Sequence, residues 1–244
     1  MKISLQIYTL RDSASTDFEE TLKKVSEYGY DAIELAGWPD IDVNSLKAML
    51  EKYNLKVSGA HLLYDEIYNN FDKCCKNAKL LGFNSLIIPW YDAKEFDSDK
   101  ITQTAQKFNE LYGRLEAEGL YLGYHNHDFE FANGRFDRLC ELCPELKLEI
   151  DTYWVAFAGE DPFKYLDKYS SRIVFIHLKD MQKNVTNAAL PNPNILEGCM
   201  DIKGLMKKAE ELGNAYVVVE MDACIGDPLD AVNQSRKNLG TIGY

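Results

Sequence analysis

Histidine is scarce in this chain, with four in 244 residues, and basic residues are outnumbered, 27 against 39 acidic. The net charge of −12 repels phosphate backbones, which excludes nucleic acid as a partner. Long apolar runs are missing too. None reaches the roughly 20 residues of a membrane span, so no membrane partner is expected. No glycine-rich turn follows the first apolar run, which continues as Gln6-Ile7-Tyr8-Thr9, and no Walker A motif occurs. Nucleotide-cofactor functions thereby lose their support. Of the six cysteines only Cys140 and Cys143 form a CxxC, where a zinc ribbon needs two such pairs. The chain is also too long and too poor in cysteine for a disulfide scaffold. Reduced thiols and a cytoplasmic location are expected, and Met1-Lys2 runs into a strand pattern instead of a signal peptide.

What is present is a repeating alternation of strand and helix. Strands are expected at 3–8, 31–35, 56–61, 84–90, from Leu122 onward, 146–151, 172–178 and 215–220. Several are continuous Val/Ile/Leu runs, as required when both faces of a parallel strand are buried. Between them, helical spacing places Phe18, Leu22 and Val25 on one apolar face, Leu46, Met49 and Leu50 on another, and Ile101, Ala105, Phe108, Leu111 and Leu115 on a third. Thr16 or Asp17 caps the first helix, a single helix is expected from about 65 to 81, and Pro162 opens a later one. Eight strand–helix units without a leftover segment favour a closed (β/α)8 barrel over an open doubly wound sheet, with residues 1–244 as one domain.

In such a barrel the chemistry belongs at the C-terminal ends of the strands. All four histidines, His61, His125, His127 and His177, fall there. So do Tyr8, Glu34, Trp90, Glu149, Asp151, Lys179, Glu220 and Asp222. Period-2 alternation aims His125 and His127 to one face, with Glu130 just beyond. A mouth lined by imidazole and carboxylate is the ligand set for Zn²⁺, Mn²⁺, Co²⁺ or Mg²⁺. Glu220, after Val217-Val218-Val219, needs a partner if it is buried. Trp38, Trp90 and Trp154 either belong to the core or stack on sugar rings in the mouth. Cys140 and Cys143, on a short helix, are expected to pack.

Six segments carry a family resemblance: Leu5–Asp12, Gly29–Leu35, Tyr124-His125-Asn126-His127, Glu149–Trp154, His177-Leu178-Lys179-Asp180 and Val219–Asp222. With these the chain resembles the xylose isomerase-like sugar phosphate isomerase/epimerase superfamily of TIM barrels along essentially its whole length. The resemblance implies one divalent cation held by Asp151, His177 and Glu220. A fourth ligand would be His125, at the strand-five position where relatives often carry Glu.

The implied reaction is metal-dependent isomerisation or epimerisation of a keto-sugar or polyol ketone through an enediolate. Glu220, His127 and Glu34 are the candidate bases, and Lys179 would stabilise the oxyanion. His61, Trp90, Trp154, Tyr8 and Glu130 would contact the substrate, Glu130 also being a spare ligand or base. The same metal site would serve a dehydratase or lyase acting on an inosose or keto-sugar. A reading of another class is a non-catalytic carbohydrate-binding barrel. The small-molecule partner is a sugar, and the sequence is compatible with a homo-oligomer.

Overall fold

Strands that are apolar on both faces must be covered by helices outside and must meet one another inside. In the computed structural model, which describes residues 1–214 and 216–244, they do so by closing into a ring. The strands are β1 (Lys2–Gln6), β2 (Ala32–Ala36), β3 (Lys56–His61), β4 (Ser85–Ile88), β5 (Tyr121–His125), β6 (Lys147–Asp151), β7 (Ile173–Leu178) and β8 (Tyr216–Val219). They pair in chain order as a closed barrel, and the parallel β1–β8 pairing seals it. This is the expected (β/α)8 TIM barrel. Ala215, expected to start the eighth strand, lies outside the described residues.

The helices form where the periodicity places them. Asp17 caps the helix Phe18–Glu27 by accepting from the Glu20 amide at 2.9 Å, and Leu22 and Val25 are buried beneath it. Asp161 and Asp227 cap helices that open with Pro162 and Pro228, where the missing amide costs nothing. One expectation needs correction: the helix from 65 to 81 is two, Tyr64–Asn69 and Phe71–Leu81. They are separated by Asn70, whose φ of −118° and ψ of 34° are not helical.

The main core lies between barrel and helices. A smaller cluster, Ile87, Phe175 and Val218, fills the inside of the barrel. All six cysteines are free thiols. Burial pushes those of Cys140 and Cys143 up to about 12, which fits packing and not chemistry. Among the described residues no helix is long and apolar enough to cross a membrane.

The pairing slips at two places, between Ile33 and Glu34 on β2 and between Leu148 and Glu149 on β6. Such irregularities re-aim the side chains beside them. Here the extra residues are Ser58 on β3 and Val174 on β7, and Glu34 and Glu149, both fully buried, stand across from them.

Candidate active site

The C-terminal end of the barrel gathers the histidines at its centre. His61 ends β3, His125 ends β5, and His177 lies one residue from the end of β7. Their rings meet around one point, His61 and His177 stacked at 5.3 Å between centroids, and His125 edge-on to both, 4.6 Å from His177 and 5.1 Å from His61. His127 lies past the end of β5, yet its ring is 5.1 Å from that of His125.

Carboxylates fill the gaps between the rings. Glu34 Oε2 accepts from Gln6 Nε2 at 2.8 Å and lies 2.7 Å from His177 Nε2. Glu149 Oε2 lies 2.5 Å from His61 Nε2 and 3.0 Å from His125 Nδ1. Nearer the rim, Glu220 Oε2 meets His177 Nδ1 at 2.9 Å. Lys179 donates to both oxygens of Asp222 at 3.0 and 2.8 Å. It also forms ion pairs with Glu220 Oε2 at 2.9 Å and Asp151 Oδ2 at 3.1 Å.

Asp151 is positioned twice over. Its Oδ1 caps the helix Thr152–Phe157 through the Trp154 amide at 3.0 Å. The Asn126 side chain clamps its backbone, accepting from its amide at 3.0 Å and donating to its carbonyl at 3.2 Å.

Burial and neighbouring charge sort these groups into proton-holding and proton-free. Burial and the nearby Glu149 push Glu34 up to about 7. Burial opposes charge on Glu149, but His177 and His61 outweigh it and hold the carboxyl well below its usual range. Burial likewise opposes charge on His61 and His177, and facing glutamates overcome it, so both rings bind a proton more tightly than usual. Burial wins at the other two rings. His125 is lowered well below the usual value, and His127 falls to about 3, helped by Lys179. Burial raises Asp151 to about 6 against the pull of Lys179. Burial opposes ionisation of Glu220 too, but Lys179 and His177 keep it a carboxylate.

The cluster fits a divalent cation. Glu34 Oε1 is a buried carboxylate oxygen without a hydrogen bond, while Glu149 Oε1 and Asp151 Oδ2 face charged neighbours, His177 Nε2 and Lys179 Nζ, each at 3.1 Å, and buried charge needs a partner. Donor atoms of His125, Asp151, His177 and Glu220 all lie within 4.8 Å of one another. So do those of His61, His125, Glu149 and His177.

Above the cluster opens a cavity of about 490 Å³ walled by Tyr8, Gly37, His61, Trp90, His125, His127, Glu220 and Asp222. Tyr8 and Trp90 are exposed there, as a ring-stacking surface requires.

Two expected substrate contacts are placed elsewhere. Glu130 is fully buried and does not reach the cavity wall. The strand stops at His125 and the chain bends into a short 3-10 turn, so alternation no longer applies. Glu130 instead accepts from the Tyr124 hydroxyl at 2.5 Å and the His127 amide at 2.9 Å. Trp154 turns inward with the helix that follows Asp151 and packs with Tyr153 and Met181. Its ring lies 5.2 Å from that of His127 and 5.4 Å from Lys179 Nζ, behind the wall. Glu149 was absent from the expected ligands and bases. The signal for it was present: it stands two residues before Asp151 on the same strand, hence on the same face.

Known proteins share this frame. The family model described as xylose isomerase-like TIM barrel matches residues 22–241, and the chain belongs to that family. Inosose dehydratase of Mesomycoplasma hyopneumoniae strain J is 27% identical over 265 residues, covering 92% of this chain and 88% of that protein. Among solved structures, a sugar phosphate isomerase/epimerase from Parabacteroides distasonis superposes with a TM-score of 0.79 at 23% identity, covering 100% of this chain and 99% of that one. The IolI protein, solved with a bound zinc atom, superposes with a TM-score of 0.78 at 14% identity, covering 99% and 98%.

Proposed function

We propose that the chain is a metal-dependent dehydratase of a keto-sugar of the inosose class. The cation would be held by His125, Asp151, His177 and Glu220. When bound, it would supply Lewis acidity to a substrate carbonyl oxygen. The rest is the work of side chains. Dehydration of a β-hydroxy ketone removes the proton α to the carbonyl and expels the β-hydroxyl as water. It therefore needs a base and an acid on one substrate.

One observation carries this reading: the cavity wall presents both. His61, held protonated by Glu149 and Glu34, donates to the departing hydroxyl. Glu220, held ionised by Lys179 and His177, takes the α-proton, with neutral His127 as the second acceptor. Lys179, buried among carboxylates, keeps Glu220 ionised and offers charge to the oxyanion. Glu34, with a value near 7, exchanges protons with His61 and His177 beneath. Tyr8 and Trp90 stack on the sugar ring. The inosose dehydratase relatives support this substrate class, and a cytoplasmic metabolic role goes with it.

An isomerase or epimerase shares the first step and returns the proton instead of losing water. It is favoured by His127 and Glu220 lining one cavity, where a proton taken by one can be delivered by the other.

The experiment is to incubate an inosose with zinc-, manganese- or cobalt-loaded protein in D₂O and follow it by NMR and near-ultraviolet absorbance. Loss of one water with a conjugated product is expected. Deuterium incorporation without water loss would move the assignment to isomerase or epimerase. Sugar binding with neither metal uptake nor exchange would leave only the non-catalytic carbohydrate-binding barrel.

A further inference from the structure

The rim of the cluster already contains a cation of its own. Lys179 Nζ stands 2.9 Å from Glu220 Oε2 and 3.1 Å from Asp151 Oδ2, and the residue is 1% exposed. A divalent ion bonded through those same two oxygens would face the ammonium with little water between them to screen the repulsion.

Deeper in the barrel, among the described residues, the donors pair with imidazoles and carboxylates and with no lysine. Glu149 Oε2 lies 2.5 Å from His61 Nε2 and 3.0 Å from His125 Nδ1. Its Oε1 lies 3.1 Å from His177 Nε2 and makes no hydrogen bond. Beside it Glu34 Oε1, on a fully buried side chain, has no partner. The only two slips in strand pairing among the described residues, at Ser58 and Val174, fall across from these two glutamates. Glycine at position 59 makes the room, since a Cβ there would come within 3.1 Å of Glu34 Oε1 and 3.0 Å of the Phe175 ring. The two oxygens of Glu149 thus lie among three imidazole nitrogens, and donor atoms of His61, His125, Glu149 and His177 all lie within 4.8 Å of one another.

We propose that the cation has a second station on this floor, held by His61, His125, Glu149 and His177, and that it rests there while Lys179 engages Asp151 and Glu220. The inference builds on the reading above that the cluster takes a divalent ion, and concerns where the ion sits. The two stations are alternatives. The rim uses His125 Nε2, 3.7 Å from Asp151, and His177 Nδ1, 2.9 Å from Glu220. The floor uses the opposite nitrogen of each ring. Filling both at once would strip both rings of every N–H proton, so one ion per chain is expected. Three imidazoles and one carboxylate select zinc or cobalt over magnesium.

The test is X-ray absorption fine structure of the zinc-loaded full chain without substrate, with zinc content measured by mass spectrometry. One zinc per chain with three imidazoles is expected. His61→Gln, checked for folding by circular dichroism, should lower the imidazole count by one. A wild-type spectrum with two imidazoles, or a His61→Gln spectrum unchanged from wild type, would overturn the floor station and leave the rim reading in place. A chain that retains no zinc would overturn both.

Discussion

The two halves of the barrel interior are built from opposite materials. The lower half is an apolar plug of Ile87, Phe175 and Val218, with a Ser4–Ser58 hydroxyl pair at 2.8 Å. The upper half, one layer above, holds three imidazoles, four carboxylates and an ammonium, each at most 8% exposed. Packing in the plug stabilises without regard to pH or ions. The charged layer depends on mutual neutralisation, because removing one partner leaves another buried and uncompensated. The contrast shows where the fold keeps its stability and where it keeps its reactivity.

Exchanging the functions of the halves is the sharpest way to break this comparison. Glu220→Gln should lower turnover by about 10²–10⁴-fold, because it removes the base and a proposed ligand, and should also cost stability, because Lys179 and His177 lose a buried counter-charge. Steady-state kinetics beside a denaturant melt would show the two effects apart. Phe175→Ala should do the reverse, costing ~3–5 kcal/mol of stability in urea unfolding through the cavity it leaves.

His177→Ala should empty the metal site, since the ring serves both proposed stations. Metal content after gel filtration reads this directly.

Glu130 sharpens the comparison from the side. Its carboxyl is raised from 4.5 to about 7, chiefly by burial, so the folded chain holds a proton that the unfolded chain releases. Stability from this group is complete below pH 4.5 and declines as pH rises toward 7. Glu130→Gln should remove that slope and raise stability at pH 8 by about 2–3 kcal/mol, measured by urea unfolding across pH. Asp17→Ala, on the outer ring of helices, should cost only about 1 kcal/mol through the lost cap, and leave kinetics and metal content unchanged.

Much of this was legible in the chain. Several strands, such as 85–88, 173–178 and 216–219, show as apolar runs, because a strand buried on both faces tolerates little else. The convergence of His61, His125 and His177 was readable as well, since parallel strands end at one rim. Glu130 and Trp154 escaped for a shared reason. Both lie where the chain leaves its strand for a helical turn, and alternation stops predicting direction at that point. Glu149 escaped for another. Its alternation with Asp151 was visible, but the value of a carboxylate there depends on His61, 88 residues away in sequence.

By itself the sequence determined the strand–helix alternation, the closed barrel and the rim at which its titratable groups meet, because these follow from periodicity and burial, which are local. Only the tertiary structure decided which imidazole nitrogen faces which carboxylate. It also decided that Lys179 stands on the rim oxygens and that Glu34 is left with an oxygen free of hydrogen bonds below. Those outcomes depend on distances of a few ångströms between distant segments, and electrostatics in a water-poor interior changes steeply over that range.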